Sequence, residues 1–125
     1  MTASILIIDD DHDSRAMVRL TLEQAGYLVN EAENGQRGLE VLERAHPDLV
    51  LLDLQMPVMS GGAFVDELQH RGGAQRFGVI AMSGRFDANR SPTKWFLSKP
   101  IAASLLLAVV GDFCATRAVL DAGAR

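Results

Sequence analysis

The feature that most constrains this chain is an unbroken apolar run that ends in a carboxylate. Residues 49–52 are Leu, Val, Leu and Leu, and Asp53 follows them directly. An apolar run of this length without alternation indicates a strand buried on both faces, as in the centre of a parallel sheet. Ligands bind at the carboxyl ends of such strands, so Asp53 lies where chemistry is expected. Taken alone, an aspartate in this place is equally typical of a carboxylate that only caps a turn.

Apolar segments of strand length alternate with segments of helical periodicity along the whole chain. The predicted strands cover residues 5–8, 27–32, 49–53, 78–82 and 95–98, and the predicted helices cover about 14–25, 36–44, 61–70 and 102 to at least 115. This alternation indicates a parallel sheet with helices on both faces, because each right-handed crossover places its helix against one side. We therefore expect an α/β fold with one doubly wound, five-stranded parallel sheet.

Length and composition narrow the possible classes of protein. The chain has 125 residues, 48% of them hydrophobic, which suits one domain with one core, and we expect residues 1–125 to form it. The formal net charge of -4 supplies no basic face, so we expect no direct contact with nucleic acid. Cys114 is the single cysteine, which excludes an intrachain disulfide or a cysteine metal cluster.

Neither the first residues nor the most apolar later segment has the features of an export signal or of a membrane span. The first residues lack the basic region and the long apolar run of a signal peptide. The most apolar later segment, residues 101–110, falls well short of the roughly 20 residues that cross a bilayer. We expect no membrane association and a cytoplasmic location.

Polar residues stand at the same end of four predicted strands. They are Asp9 and Asp10 after the first strand, Asp53 at the tip of the third, Ser83 after the fourth and Lys99 after the fifth. The carboxyl ends of parallel strands share one edge of the sheet, so three carboxylates, a hydroxyl and an ammonium are expected to converge there.

Three crowded carboxylates need a cation. Two negative charges about 4 Å apart repel by roughly 4 kcal/mol at an effective dielectric of about 20. An all-oxygen ligand set completed by water suits a hard octahedral cation, and Mg²⁺ is the abundant one. Asp9, Asp10 and Asp53 therefore predict a magnesium site.

The same constellation is typical of a site that accepts a phosphoryl group. Charge develops on the equatorial oxygens of the transferred group, where Mg²⁺ and Lys99 neutralise it and Ser83 donates a hydrogen bond. Asp53 is the expected nucleophile. Taken singly, the acid pair is also typical of a helix cap, Ser83 of a turn and Lys99 of a solvated charge. Asp11 and Asp13 are the better candidates for capping.

In their order along the chain, these motifs resemble the receiver domain of response regulators in two-component signalling, the CheY-like family. The resemblance implies a flavodoxin-like sheet with strand order 2-1-3-4-5. It also implies transfer of a phosphoryl group from a sensor histidine kinase or histidine phosphotransfer protein to Asp53, which then switches contacts with a downstream protein target. The matching motifs span essentially the whole chain: Ile7-Ile8-Asp9-Asp10, Leu51-Leu52-Asp53-Leu54-Gln55-Met56-Pro57, Ser83-Gly84 and Leu97-Ser98-Lys99-Pro100-Ile101.

The resemblance implies a set of metal ligands. Asp10, Asp53 and the main-chain carbonyl of Gln55 bind Mg²⁺ directly in that scheme. Asp9 reaches the ion through a water molecule.

The resemblance also implies how the site responds to phosphorylation. Lys99 pairs with Asp53 or with its phosphoryl group, and the bond between Lys99 and Pro100 is cis. Ser83 and Phe96 form a switch pair, in which the aromatic ring rotates inward as the hydroxyl moves toward the phosphoryl group.

The sequence departs from the family between Ser83 and Lys99, which only fifteen residues separate. The family usually has a full helix with its loops there. Residues 85–93 are polar, contain Pro92 and lack an apolar stripe. We predict that the helix between the fourth and fifth strands is shortened or absent, which puts in doubt the dimer that many receivers form through it.

Two other functions stay open on the sequence alone. The fold also suits a phosphorylation-independent adaptor module. A Mg²⁺-dependent phosphatase with an aspartyl nucleophile commonly carries a second acid two residues later, where this chain has Gln55. We therefore expect a signalling domain that promotes its own phosphorylation and dephosphorylation, and not an enzyme. With no effector domain after the last helix, we expect output through a protein contact, a relay step or a domain outside this sequence.

Overall fold

The structure, a computed structural model, describes residues 3–54, 61–70, 78–84 and 95–123. None of the helices in these ranges is long and apolar enough to cross a membrane. The elements, in chain order, are β1 (Ser4–Ile8), α1 (His12–Gln24), β2 (Leu28–Ala32), α2 (Gly35–Ala45), β3 (Leu49–Asp53), α3 (Gly61–His70), β4 (Gly78–Ser83), β5 (Trp95–Ser98) and α4 (Ala103–Gly123).

The five strands form one parallel sheet in the order β2-β1-β3-β4-β5. This confirms the predicted α/β class, the doubly wound parallel sheet and the strand order. All five residues of β3 are buried, as the unbroken apolar run predicts for a central strand. β2 begins one residue later than predicted because the amide of Tyr27 bonds the carbonyl of Leu22 at the end of α1 instead.

Alternation along the strands divides the core between the two faces of the sheet. One face packs against α1 and α4, and the other packs against α2 and α3. The first cluster includes Ile5, Ile7, Leu49, Leu51, Val18, Leu22, Leu106, Val110 and Phe113. The second includes Leu6, Ile8, Val50, Leu52, Leu39 and Phe64.

Helix α1 has a defined cap at each end. Asp11 is its N-cap, because its carboxylate accepts a hydrogen bond from the amide of Ser14 at 3.2 Å. The helix therefore begins at His12, two residues before the predicted start. At the other end Gly26 has a φ of 96°, a left-handed conformation that glycine adopts without steric cost.

Gly78, at the start of β4, lies against an aromatic ring of α4. A Cβ atom at this position would lie 1.9 Å from Cζ of Phe113. The absence of a side chain at residue 78 therefore makes room for the ring of Phe113 against the sheet.

Two predictions fall on segments outside the described residues. The predicted shortening of the helix between β4 and β5 concerns residues 85–94, and the predicted carbonyl ligand is Gln55. Both stay predictions, as does the doubt about a dimer through that helix.

Candidate functional site

The register of β1 and β3 places two acids side by side. Ile8 pairs with Leu52, so Asp9 and Asp53 are the next residues on the two strands. Asp9 and Asp53 are buried, with 0% and 4% of their surface exposed. In a sheet of this order, the chain leaves β1 and β3 in opposite directions, and ligands bind at such a switch point.

The register of β3, β4 and β5 adds a hydroxyl and an amine to this edge. Asp53 pairs with Met82, and Ser83 is the next residue of β4. Ser83 pairs with Ser98, and its main-chain carbonyl accepts a hydrogen bond from the amide of Lys99 at 2.8 Å. The strand tips therefore converge as the sequence predicts.

Three carboxylates form a compact cluster at this edge. Each of the three acids Asp9, Asp10 and Asp53 has one carboxylate oxygen in this cluster, and these oxygens lie within 4.8 Å of one another. Asp10 is exposed to solvent. Carboxylate oxygens with open access to water are the ligands that Mg²⁺ accepts in proteins. The donor set thus fits a hard divalent cation.

Lys99 supplies a positive charge to the cluster. Its Nζ lies 2.7 Å from Oδ2 of Asp9 and 3.6 Å from Oδ2 of Asp53. Burial lowers the pKa of Lys99, but the hydrogen bond to Asp9 and the nearby charges of Asp53 and Asp9 outweigh this effect and leave the pKa above its ordinary value. The resemblance implies Asp53 as the partner of Lys99. The structure shows this contact and a shorter one with Asp9. The bond between Lys99 and Pro100 is cis, as predicted.

Asp9 is held at every polar atom. Its amide continues the strand ladder to the carbonyl of Ala32 at 3.1 Å. Its Oδ1 accepts from the amide of Asp11 at 3.0 Å, and its Oδ2 accepts from Lys99 at 2.7 Å. Its main-chain carbonyl accepts from Nη1 of Arg15 at 2.7 Å. Asp9 therefore contacts Lys99 at the sheet edge, the N-cap of α1 is Asp11, and the role of Asp9 in metal binding stays a prediction.

Arg15 was not among the residues that the sequence pattern indicated. It lies on α1, where it reaches the carbonyl of Asp9 with one nitrogen and Oε1 of Glu31 on β2 with another, at 3.3 Å. Its side chain is only 14% exposed. The available signal was its place near the start of the helix that follows the acid pair. A cation is unusual there, because the positive end of the helix dipole favours acids.

The predicted switch residues occupy neighbouring strands. Ser83 is 3% exposed, and Phe96 is half-buried on β5, where it pairs in register with Ala81. Their roles in a switch stay predictions.

Comparison with known proteins places this geometry in a class. The family model described as "Response regulator receiver domain" matches residues 5–111. The chemotaxis protein CheY of Bacillus subtilis is 32% identical over 115 residues, which cover 88% of this chain and 96% of CheY. The autoinducer 1 sensor kinase/phosphatase LuxN of Vibrio harveyi is also 32% identical over 115 residues, but these cover 13% of LuxN.

Solved structures agree with this placement. The chemotaxis response regulator CheY4 of Vibrio cholerae superposes with a TM-score of 0.83 at 26% identity, covering 90% of this chain and 98% of that one. The fold and the acidic strand tips define a CheY-like α/β signalling module. The chain belongs to the response regulator receiver domain family. Receiver domains are signalling domains and not classical enzymes, and they bind Mg²⁺ at an acidic pocket. Membership supports a phosphoryl-accepting role in two-component signalling.

Proposed function

We propose that this chain accepts a phosphoryl group from a phosphohistidine onto Asp53 in a Mg²⁺-dependent reaction, and that the resulting acyl phosphate switches its contacts with a downstream protein. The carrying observation is the approach of three carboxylates to within 4.8 Å of one another beside the amine of Lys99. Asp9 and Asp53 share burial, a neighbouring cation and a place at the switch point, and it is the family resemblance that selects Asp53 as the acceptor.

Asp9, Asp10 and Asp53 are the residues that would hold the metal, with the carbonyl of Gln55 as the further ligand that the family resemblance implies. Bound Mg²⁺ would supply positive charge to the carboxylates and to the phosphoryl oxygens during transfer. The exposed position of Asp10 leaves this side of the cluster open to water, which completes the shell of a hydrated ion.

The transfer itself is a displacement at phosphorus. A carboxylate oxygen of Asp53 forms the new P–O bond while the P–N bond of the phosphohistidine breaks, and the departing imidazole nitrogen keeps the electron pair. Lys99, already charged in the resting site, stabilises the phosphoryl oxygens, and the hydroxyl of Ser83 donates a hydrogen bond to one of them. Phe96 follows the movement of Ser83 and carries the change to the surface of the domain.

The donor in this proposal is a sensor histidine kinase or a histidine phosphotransfer protein. The relative LuxN is named a sensor kinase/phosphatase, and a segment of it aligns with most of this chain, which supports such a partner. The downstream target is a protein that distinguishes the two states of the domain. The cytoplasmic location predicted from the sequence belongs to the same proposal.

The test uses a small phosphoryl donor, which removes the need to know the kinase. Wild-type protein, Asp53→Asn and the control Asp13→Asn, which removes an exposed acid of α1, are incubated with acetyl phosphate with and without Mg²⁺. Intact-mass spectrometry is expected to show one added phosphoryl group on wild type and on Asp13→Asn, only with Mg²⁺, and none on Asp53→Asn.

Two results contradict the proposal. A folded wild type that stays unmodified by acetyl phosphate and does not bind beryllofluoride with Mg²⁺ would leave the adaptor function as the better description. Equal modification of wild type and Asp53→Asn would move the acceptor to another residue.

A further inference from the structure

The guanidinium of Arg15 joins two elements that meet beside the metal cluster. Nη1 donates to the main-chain carbonyl of Asp9 at 2.7 Å, and Nε donates to Oε1 of Glu31 at 3.3 Å. The side chain is mostly buried, with 14% exposed. A planar guanidinium that uses two of its edges in this way has little freedom to reorient.

Glu31 is itself held in place. Its other carboxylate oxygen, Oε2, pairs with Nη1 of Arg19, and Nε of Arg19 pairs with Glu23 at 2.5 Å. Arg15 and Arg19, on successive turns of α1, thus each form an ion pair with Glu31 of β2. Glu31 is therefore a fixed support for the guanidinium of Arg15.

The carbonyl that Arg15 binds controls the placement of both acids. Asp9 is the first residue after β1, so its amide is fixed by the ladder to Ala32, but its carbonyl points beyond the ladder. That carbonyl belongs to the planar peptide unit that also contains the amide of Asp10 and the Cα atoms of Asp9 and Asp10. A donor that fixes this carbonyl therefore fixes the orientation of the unit from which both carboxylates project.

We propose that Arg15 is a positioning residue of the metal centre: it orients the Asp9–Asp10 peptide unit for metal binding, and Glu31 acts through it. The inference rests on the proposed function, because it concerns the same Mg²⁺ site. Arg15 contacts neither the metal nor the phosphoryl group in this scheme.

The sign of the effect on Mg²⁺ affinity separates positioning from simple electrostatics. If Arg15 acted through its charge, its removal would take a cation away from the neighbourhood of a divalent ion and tighten Mg²⁺ binding. If Arg15 positions the acid pair, its removal loosens the ligands and weakens binding. Loss of a residue that orients metal ligands typically costs 10–100-fold in metal affinity.

The experiment measures the Mg²⁺ dissociation constant by calorimetry, without any phosphoryl donor. Arg15→Gln is expected to weaken Mg²⁺ binding about 10-fold, near the lower end of the range for such residues. The matched control is Arg37→Gln, which removes an equal charge from the exposed pair between Arg37 and Glu40 on α2 and is expected to bind like wild type. Circular dichroism defines the temperature range in which each variant is folded.

A conservative variant and a double variant complete the design. Arg15→Lys keeps the charge but lacks the planar fork, so it is also expected to bind Mg²⁺ more weakly than wild type. Glu31→Gln is expected to weaken binding, and Arg15→Gln/Glu31→Gln is expected to be no weaker than Arg15→Gln alone. If Arg15→Gln does not fold, Arg15→Lys carries the test, because it leaves the charge unchanged and a loss of Mg²⁺ affinity then reports on geometry.

The inference is overturned if the Arg15 variants bind Mg²⁺ as tightly as wild type or more tightly. It is also overturned if the effects of Arg15→Gln and Glu31→Gln simply add, because Glu31 then acts independently. A wild type that binds no Mg²⁺ would instead overturn the proposed function, so the two failures are distinguishable.

Discussion

The amine of Lys99 lies closer to Oδ2 of Asp9, at 2.7 Å, than to Oδ2 of Asp53, at 3.6 Å. One cation thus neutralises two buried carboxylates from two other strands, and it joins β5 to β1 and β3 at the sheet edge. The side chain of Lys99 is 21% exposed, so this ion pair lies at the rim of the sheet edge and not deep in the core. This cation is the counterion of the acid cluster before any metal binds.

Lys99→Met is predicted to destabilise the metal-free protein and to make its stability depend more strongly on Mg²⁺. Methionine keeps the apolar stem but leaves Asp9 buried without its ammonium, a loss that costs about 3 kcal/mol when one partner of a buried pair is removed. A bound cation compensates the same charge, so added Mg²⁺ is expected to raise the unfolding free energy of the variant more than that of wild type. Urea denaturation in EDTA and in Mg²⁺ measures both effects.

The control for this variant is Arg37→Met, which breaks the exposed ion pair with Glu40 and is expected to cost less than about 1 kcal/mol. Equal stability of Lys99→Met and wild type in EDTA would show that Lys99 does not neutralise the cluster.

The stabilisation that Lys99 provides is predicted to disappear only at strongly alkaline pH. Its pKa is raised in the folded protein, so its contribution is complete below the ordinary value of 10.5 and is lost as the pH rises through the higher folded-state pKa. The difference in unfolding free energy between wild type and Lys99→Met is therefore expected to be constant from about pH 7 to 9 and to shrink above about pH 10.5. Denaturation curves across this range check it.

Tyr27 also changes the unfolding free energy at alkaline pH, and the comparison of wild type with Lys99→Met must remove this contribution. Burial, and then the charge of Cys114, raise the pKa of Tyr27, so the folded state loses stability as the unfolded tyrosine ionises near pH 10. The loss is common to wild type and Lys99→Met and drops out of their difference. A difference that shrinks below about pH 9 would contradict the assignment to Lys99.

Ser83→Ala is predicted to weaken the binding of beryllofluoride, a phosphoryl mimic, while leaving Mg²⁺ binding unchanged. A hydrogen bond to a charged group is worth about 1.5–3 kcal/mol, so the loss of the hydroxyl is expected to cost at least about 10-fold in affinity. Fluorine NMR measures the mimic, and calorimetry measures Mg²⁺ alone. The matched control is Ser98→Ala, which removes an exposed hydroxyl from the residue paired with Ser83 in register. Equal losses of beryllofluoride affinity in Ser83→Ala and Ser98→Ala would contradict the proposed role of Ser83.

The fold and the convergence of the acid pair, Asp53 and Lys99 were predictable because they follow from topology. An apolar run such as residues 49–52 is buried on both faces only in a central strand, and parallel strands have all of their carboxyl ends at one edge of the sheet. The bounds of β3, β5 and α3 accordingly agree with the sequence pattern. The family motifs add the strand order and the cis bond before Pro100.

The choice of partners within the site was not predictable in the same way. The preference of Lys99 for Asp9 over Asp53 depends on a difference of about an ångström, which side-chain rotamers decide. The sequence places Arg15 near the acid pair, but it does not identify the carbonyl of Asp9 as its partner, because every residue offers a main-chain carbonyl and an arginine on a helix reaches many of them. Such contacts require coordinates.

Gly78→Ala is predicted to destabilise the domain by about 1–3 kcal/mol, the usual cost of overpacking a core. The added Cβ would lie 1.9 Å from Cζ of Phe113, so the ring of Phe113 must shift away from residue 78. Phe113→Leu shortens the opposing side chain, and the double variant is expected to lose less stability than the sum of the two single variants, because the two residues share one contact. Gly111→Ala is the matched control: its Cβ would meet nothing within 4 Å, and alanine in a helix is favoured over glycine by roughly 0.5–1 kcal/mol. Additive losses in the double variant, measured by urea denaturation, would show that this close approach does not limit residue 78.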